Sequence, residues 1–73
     1  MDLLAVLGAR LKELRTERRM KQREVAALLK ITHNHYQKIE YRKINISVSM
    51  LCTLANYYGV STDYLLGRSE ERT

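Results

Sequence analysis

Between Gln22 and Tyr41 the chain reads QREVAALLKITHNHYQKIEY, and this block constrains the fold more than any other stretch. It has apolar side chains at Val25, Leu29, Ile31, Tyr36 and Ile39, among others. Val25 and Leu29 are four apart and Tyr36 and Ile39 three apart, so each pair shares one face of a helix. Ala26 lies beside the first pair, where a small side chain lets a second helix approach closely. Lys30-Ile31-Thr32 separates the two stretches, and the Thr32 hydroxyl can cap a new helix by accepting from its free N–H groups. The block predicts two short helices joined by a turn, with polar side chains on the outer face of the second. That shape fits a DNA major groove.

The rest of the chain reads as helices of the same kind. With no proline, three scattered glycines and no strand-like alternation, an all-α fold is expected. Leu4, Leu7, Leu11 and Leu14 form an apolar stripe on a first helix, whose polar end is Arg15 to Arg19. Helix two is expected over 22–29 and helix three over 33–41. After a loop at 42–46, Ser47 is placed to cap helix four, with Val48, Leu51, Leu54, Ala55 and Tyr58 on its buried face and Gly59 as its stop. Ser61 then caps a last short helix, 62–66, closed by Gly67. The charged tail, 68–73, is expected to fray. Cys52 is expected to be a small packing residue. The chain reads as a single domain over 1–73, with no repeat or linker and no room after helix five for a sensory or oligomerisation domain.

Thirteen basic residues against eight acidic give a net charge of +5, a balance that favours nucleic acid or another polyanion. The position of the charge says more. Arg15, Arg18, Arg19, Lys21 and Arg23 crowd the approach to helix two, and Lys38, Arg42 and Lys43 follow from helix three. The longest apolar run, Leu3 to Leu7, is far too short for a membrane span and lacks the basic start of a signal peptide. Cys52 is the single cysteine, so an intrachain disulfide is impossible and a reducing cytoplasm is the natural setting.

Four motifs follow one another in order: LGARLKELR in helix one, KQREVAALL in helix two, ITHNHYQKIE in helix three and LANYYGVSTDYLLG at the end. Together they resemble the lambda-repressor-like (Xre/Cro) domains, from about Leu7 to Gly67. The resemblance implies a compact five-helix domain with a helix-turn-helix at helices two and three, and a repressor-type DNA-binding activity. It also implies that Arg15 and Glu40 form a structural pair tying helix one to the end of helix three. Four positions depart from the family pattern. Lys30 and Arg42 stand where Gly is usual, Lys21 where Ser, Thr or Asn caps helix two, and Ile46 where Pro is usual. A left-handed backbone at position 30 would cost a non-glycine residue about 1 kcal/mol, and the missing cap forfeits a similar amount.

By the same resemblance, His33, Asn34 and Lys38 stand where helix three faces base edges. Asn can bond adenine N6 and N7, Lys can donate to guanine O6 or N7, and His can reach N7 or a phosphate. The alternative is an ordinary solvated helix face. Lys21, Gln22, Thr32, Gln37, Tyr41, Arg42 and Lys43 are candidates for phosphate contact, with Gln22 at the start of helix two, whose amides would point at the backbone. Tyr41 can equally pack its ring against the loop. His33 and His35 are two apart on a helix and point to different sides, so no metal site is expected. Neither a nucleophile–base–orienter spacing nor a phosphate-cradling glycine loop is present, so the chain is not expected to be an enzyme or to hold a cofactor.

These expectations converge on a sequence-specific regulator of transcription, a repressor, that reads a palindromic double-stranded operator as a weak homodimer. Tyr57, Tyr64 and Leu65 are candidates for the dimer contact at the helix four–five end, though core packing accounts for them nearly as well. The second reading is a protein-interaction module of the same fold, an antitoxin or anti-repressor partner. Such a module should carry apolar residues on the outer face of helix three, where this chain has His, Asn, His, Gln and Lys. The third is a non-specific nucleic-acid binder, which would need the charge but not Asn34 and Lys38 in register.

Overall fold

The computed structural model describes residues 2–73. Within them run α1 (Leu3–Glu17), α2 (Gln22–Leu29), α3 (His33–Glu40), α4 (Val48–Tyr58) and α5 (Thr62–Leu65). The first helix starts at Asp2, whose Oδ1 accepts from the N–H groups of Leu4 and Ala5 at 3.1 and 3.2 Å. Thr32, Ser47 and Ser61 cap α3, α4 and α5 through their hydroxyls. Lys21, lacking an acceptor, leaves α2 with half a capping box: its own N–H donates to Glu24 Oε1 at 2.7 Å. Helices three and five each end one residue earlier than the spacing suggests, with Tyr41 and Leu66 in the capping positions.

Every helix stops in the same way. The residue that ends the turn is left-handed, and the N–H after it donates back to the carbonyl five residues earlier, the Schellman arrangement. The bonds are Met20 to Arg15 (3.1 Å), Ile31 to Ala26 (3.0 Å), Lys43 to Lys38 (2.9 Å), Val60 to Ala55 (3.0 Å) and Arg68 to Asp63 (2.8 Å). Gly59 and Gly67 take the left-handed position at two of these ends, with φ of 67° and 77°. At the other three it falls to Arg19, Lys30 and Arg42, with φ of 56°, 59° and 68°. A cation there suits the negative end of the helix dipole but strains the backbone.

The core gathers Leu7, Leu11, Leu14, Val25, Tyr36, Ile39, Leu54 and Leu65, all nearly or fully buried. They come from the stripes expected on helices one to four, closed by α5, while Leu4, Leu29 and Leu51 of those stripes are half-buried. Gly8 allows α1 to cross the end of α3: a Cβ there would lie 2.6 Å from the Glu40 carbonyl oxygen. Helix α3 packs against both α2 and α1.

Several expectations are corrected. Val48, the first residue of α4, is 77% exposed and lies outside the core. Cys52 is exposed on that helix and does not pack in the core. Tyr64 and Leu65 are core residues, at 6% and 0% exposure, so of the three candidates for a dimer contact only Tyr57 presents surface. Residues 68–72 run back against α1 where fraying was expected. Arg72 pairs with Glu17 at 2.6 Å and Glu13 at 3.0 Å, and Arg10 donates to the carbonyls of Ser69 (2.7 Å) and Tyr64. The Arg10 guanidinium also covers the Tyr64 ring at 4.1 Å. No helix among the described residues is long and apolar enough to cross a membrane.

Candidate nucleic-acid interface

The second helix of the pair, α3, buries Tyr36 and Ile39 and leaves His33, Asn34, His35 and Lys38 exposed. Position 36 to 39 is the inward stripe, so residues 34 and 38, one turn apart, fall on the outward face by the helix period alone. Thr32 is exposed at the start, but its hydroxyl already accepts from the His35 N–H at 3.0 Å. Gln37 is half-buried, and Tyr41, Arg42 and Lys43 are exposed beyond the last turn.

Beneath this face lies a buried carboxylate with all its acceptor positions filled. Glu40 Oε2 accepts from Arg15 Nε at 2.7 Å and from the Tyr36 hydroxyl at 2.5 Å. Oε1 accepts from Arg15 Nη2 and from Gln22 Nε2, each at 3.1 Å. The Glu40 side chain is 1% exposed and that of Arg15 11%. Burial pushes the Glu40 carboxyl up, but the donors from Arg15, Tyr36 and Gln22 outweigh it and hold the group below the usual carboxylate range. Arg15 also donates to the Met20 carbonyl at 2.8 Å, fixing the loop between α1 and α2. The structural pairing of Arg15 with Glu40 is therefore present, within a larger cluster joining α1, α2 and α3.

Gln22 extends this cluster to the surface. Its Oε1 lies 3.2 Å from His33 Nε2. Around it opens a cleft of about 440 Å³ lined by Lys12, Arg15, Lys21, Gln22, Arg23, His33 and Tyr41. Every cation lining it other than Arg15 lacks a carboxylate partner among the described residues, so the cleft carries an uncompensated positive charge. Of the residues singled out from sequence, the cleft brings together Lys21, Gln22, His33 and Tyr41. Asn34 and Lys38 lie on the exposed face of α3 itself, with Arg42 and Lys43 at its far end. Sequence reasoning missed Lys12 as a lining residue. The available signal was its place one turn before Arg15 on α1. No group of three or more His, Cys, Asp or Glu side chains among the described residues is arranged to hold a metal ion.

A helix-turn-helix family profile matches residues 11–65, from the middle of α1 to the end of α5. The chain belongs to that family, in agreement with its likeness to the lambda-repressor-like domains. It is 42% identical over 64 residues to the HTH-type transcriptional regulator ImmR of Bacillus subtilis (strain 168), covering 88% of this chain and 50% of the relative. It is 41% identical over 61 residues to the SPbeta prophage-derived uncharacterized HTH-type transcriptional regulator YonR of the same organism, covering 84% and 56%. The chain thus spans about half the length of these curated relatives.

Proposed function

We propose that this chain is a sequence-specific, double-stranded DNA-binding domain that regulates transcription, as a repressor, by placing α3 in the major groove. The observation that carries this reading is the exposed polar face of α3 set beside a cleft of unpaired cations. Its α2–α3 geometry belongs to a family whose two relatives above are both named as regulators. His33, Asn34 and Lys38 face base edges. Lys21, Gln22, Thr32, Gln37, Tyr41, Arg42 and Lys43 hold the backbone, joined by Lys12 and Arg23 from the cleft. The protein acts by binding rather than catalysis, in the cytoplasm. One short helix reads about half a site, so two copies meet a palindrome whose half-site centres lie about one helical turn apart. A protein-docking role is less suited to α3, since its outer face has no apolar side chain to bury in a partner.

Selection of bound duplexes from random sequence tests the reading. An enriched palindrome is expected, and Asn34→Ala and Lys38→Ala should each weaken binding to it by about 1–3 kcal/mol while sparing random DNA. Arg42→Ala should weaken both duplexes alike. With the five cations among these backbone-holding groups, Lys12, Lys21, Arg23, Arg42 and Lys43, neutralising one phosphate each, the logarithm of affinity should fall with that of salt at a slope of about −4 to −5 per copy. No enriched sequence, or a flat salt response, would refute the assignment.

A further inference from the structure

The hydrogen bonds that run from Glu40 through Gln22 to His33 have only one consistent direction. Glu40 is an ionised carboxylate with Arg15 bound to both oxygens, so it accepts and cannot donate. The Gln22 group 3.1 Å from it must then be the amide NH2. A flipped amide would set a carbonyl oxygen against the carboxylate, two acceptors in contact. With its NH2 turned towards Glu40, Gln22 presents Oε1 to His33, and at 3.2 Å His33 Nε2 must carry the hydrogen. In a neutral imidazole one nitrogen donates and the other accepts, so Nδ1 is left as an acceptor. No protein group among the described residues bonds Nδ1, and the ring is exposed. One N–H of the Gln22 amide remains free for a phosphate.

We propose that Gln22 is a positioning residue that fixes the hydrogen-bonding polarity of His33, so that the ring selects an exocyclic amino group, adenine N6 or cytosine N4, at the base pair it faces. The inference rests on the reading of α3 as the base-facing helix and deepens it. Without the relay, His33 would be free to donate to guanine or to a phosphate. With it, a buried charge near the far end of α3 decides which base the first residue of α3 accepts. In the major groove the adenine N6 amino group and guanine O6 occupy equivalent places, as do cytosine N4 and thymine O4. Reversing the polarity of His33 should therefore exchange A for G or C for T.

Gln22→Lys provides that reversal. An ammonium donates to Glu40 as the amide does, but it presents only donors to His33 Nε2, which drives the ring hydrogen to Nδ1. In the free protein, in mildly alkaline buffer where imidazoles are uncharged, the ring ¹⁵N resonances of His33 report the protonated nitrogen. Nε2 is expected in the wild type and Nδ1 in Gln22→Lys. Selection from random duplexes supplies the second measurement, with His33→Ala marking the base pair that the ring faces. At that pair the wild type should enrich A or C, and Gln22→Lys should enrich the transition-related base. Replacing the selected base by an analogue without its amino group should weaken the wild type roughly 2- to 12-fold, the worth of one hydrogen bond, and spare the variant. Should Gln22→Lys melt far below the wild type, Gln22→Met replaces it and should flatten the preference at that pair alone. The same protonated nitrogen in both proteins overturns the inference, as does an unchanged base at the marked pair. If the wild type enriches no sequence at all, the DNA-reading proposal falls with it. If it enriches one that Gln22→Lys and Gln22→Met leave intact, only the polarity inference falls.

Discussion

Three of the five helix ends place a cation where glycine is at ease, and the triple variant Arg19→Gly, Lys30→Gly, Arg42→Gly should reveal the strain. Left-handed backbone costs a residue with a Cβ about 1–2 kcal/mol. Glycine gives back roughly 0.5–1 kcal/mol of that through the greater freedom of the unfolded chain, and a few tenths are lost with the cation at the helix terminus. The net gain is about 0.5 kcal/mol per site. Each residue closes a different helix, so the effects should add to about 1.5 kcal/mol. For a domain of this size that raises the melting temperature by roughly 6–12 °C. Matched Ala variants remove the charge but keep the Cβ, and should fall below the Gly variants at every site. Thermal melts of both sets make the comparison. Gly variants no more stable than their Ala counterparts would refute the strain argument. The gain should be accompanied by weaker DNA binding through Arg42→Gly, because that position is also a proposed phosphate contact.

Gly8→Ala should lower stability by about 1–3 kcal/mol although alanine is the better helix former, since its Cβ would meet the Glu40 carbonyl at 2.6 Å; a melt at or above wild type would count against the close crossing. Because the Glu40 carboxyl titrates below its ordinary value of 4.5, its stabilising effect is full above that pH and is lost as the pH falls through the depressed folded value. Glu40→Gln should therefore cost about 3 kcal/mol at pH 7 and flatten the acid limb of a melting-temperature series, and an unchanged limb would refute the assignment. The Tyr58 hydroxyl is buried without a protein partner among the described residues, so Tyr58→Phe should stabilise by about 1 kcal/mol in thermal melts. Burial pushes the same group up to about 12, so wild-type stability should decline as pH rises from about 10 towards 12, and the Phe variant should lose that part of the decline.

What was legible in the sequence follows from the range of the forces involved. Caps and apolar spacing act over three or four residues, so the ends of α2 and the starts of α3, α4 and α5 could be placed from Thr32, Ser47, Ser61 and the stripes. Val48 and Cys52 were misplaced because a helical period marks an apolar face without saying whether a neighbour covers it. The clasp of Arg72 on Glu13 and Glu17 joins charges more than fifty residues apart, and such pairs leave no local pattern. Left-handed Lys30 and Arg42 were signalled only by the absence of the usual glycine, and Arg19 by nothing. In the candidate interface, the outward set on α3 came directly from the helix period. Its cleft needed the crossing of α1 over α3, which sets Lys12 beside residues of α2 and α3.

The Arg15–Glu40 cluster is poorly explained as a source of stability, because a buried ion pair generally does no better than apolar side chains of the same volume. Its geometry offers another account. Four donors from three helices converge on one carboxylate: Arg15 from α1, Gln22 from α2 and Tyr36 from α3 itself. Apolar contacts resist a slip of α3 along its axis only through shape, since dispersion is non-directional and volume-conserving rearrangements cost little. Hydrogen bonds of 2.5–3.1 Å to a single carboxylate resist it through direction as well, because a shift of a few tenths of an ångström misaligns several at once. The Gly8 crossing adds a backbone contact at the same end of the helix. Reading a base edge requires side chains held to about half an ångström. The cluster ties the C-terminal end of α3 to α1 and α2, and the Gln22–His33 contact ties its first residue to α2 as well, which is the rigidity that the proposed base reading by α3 requires.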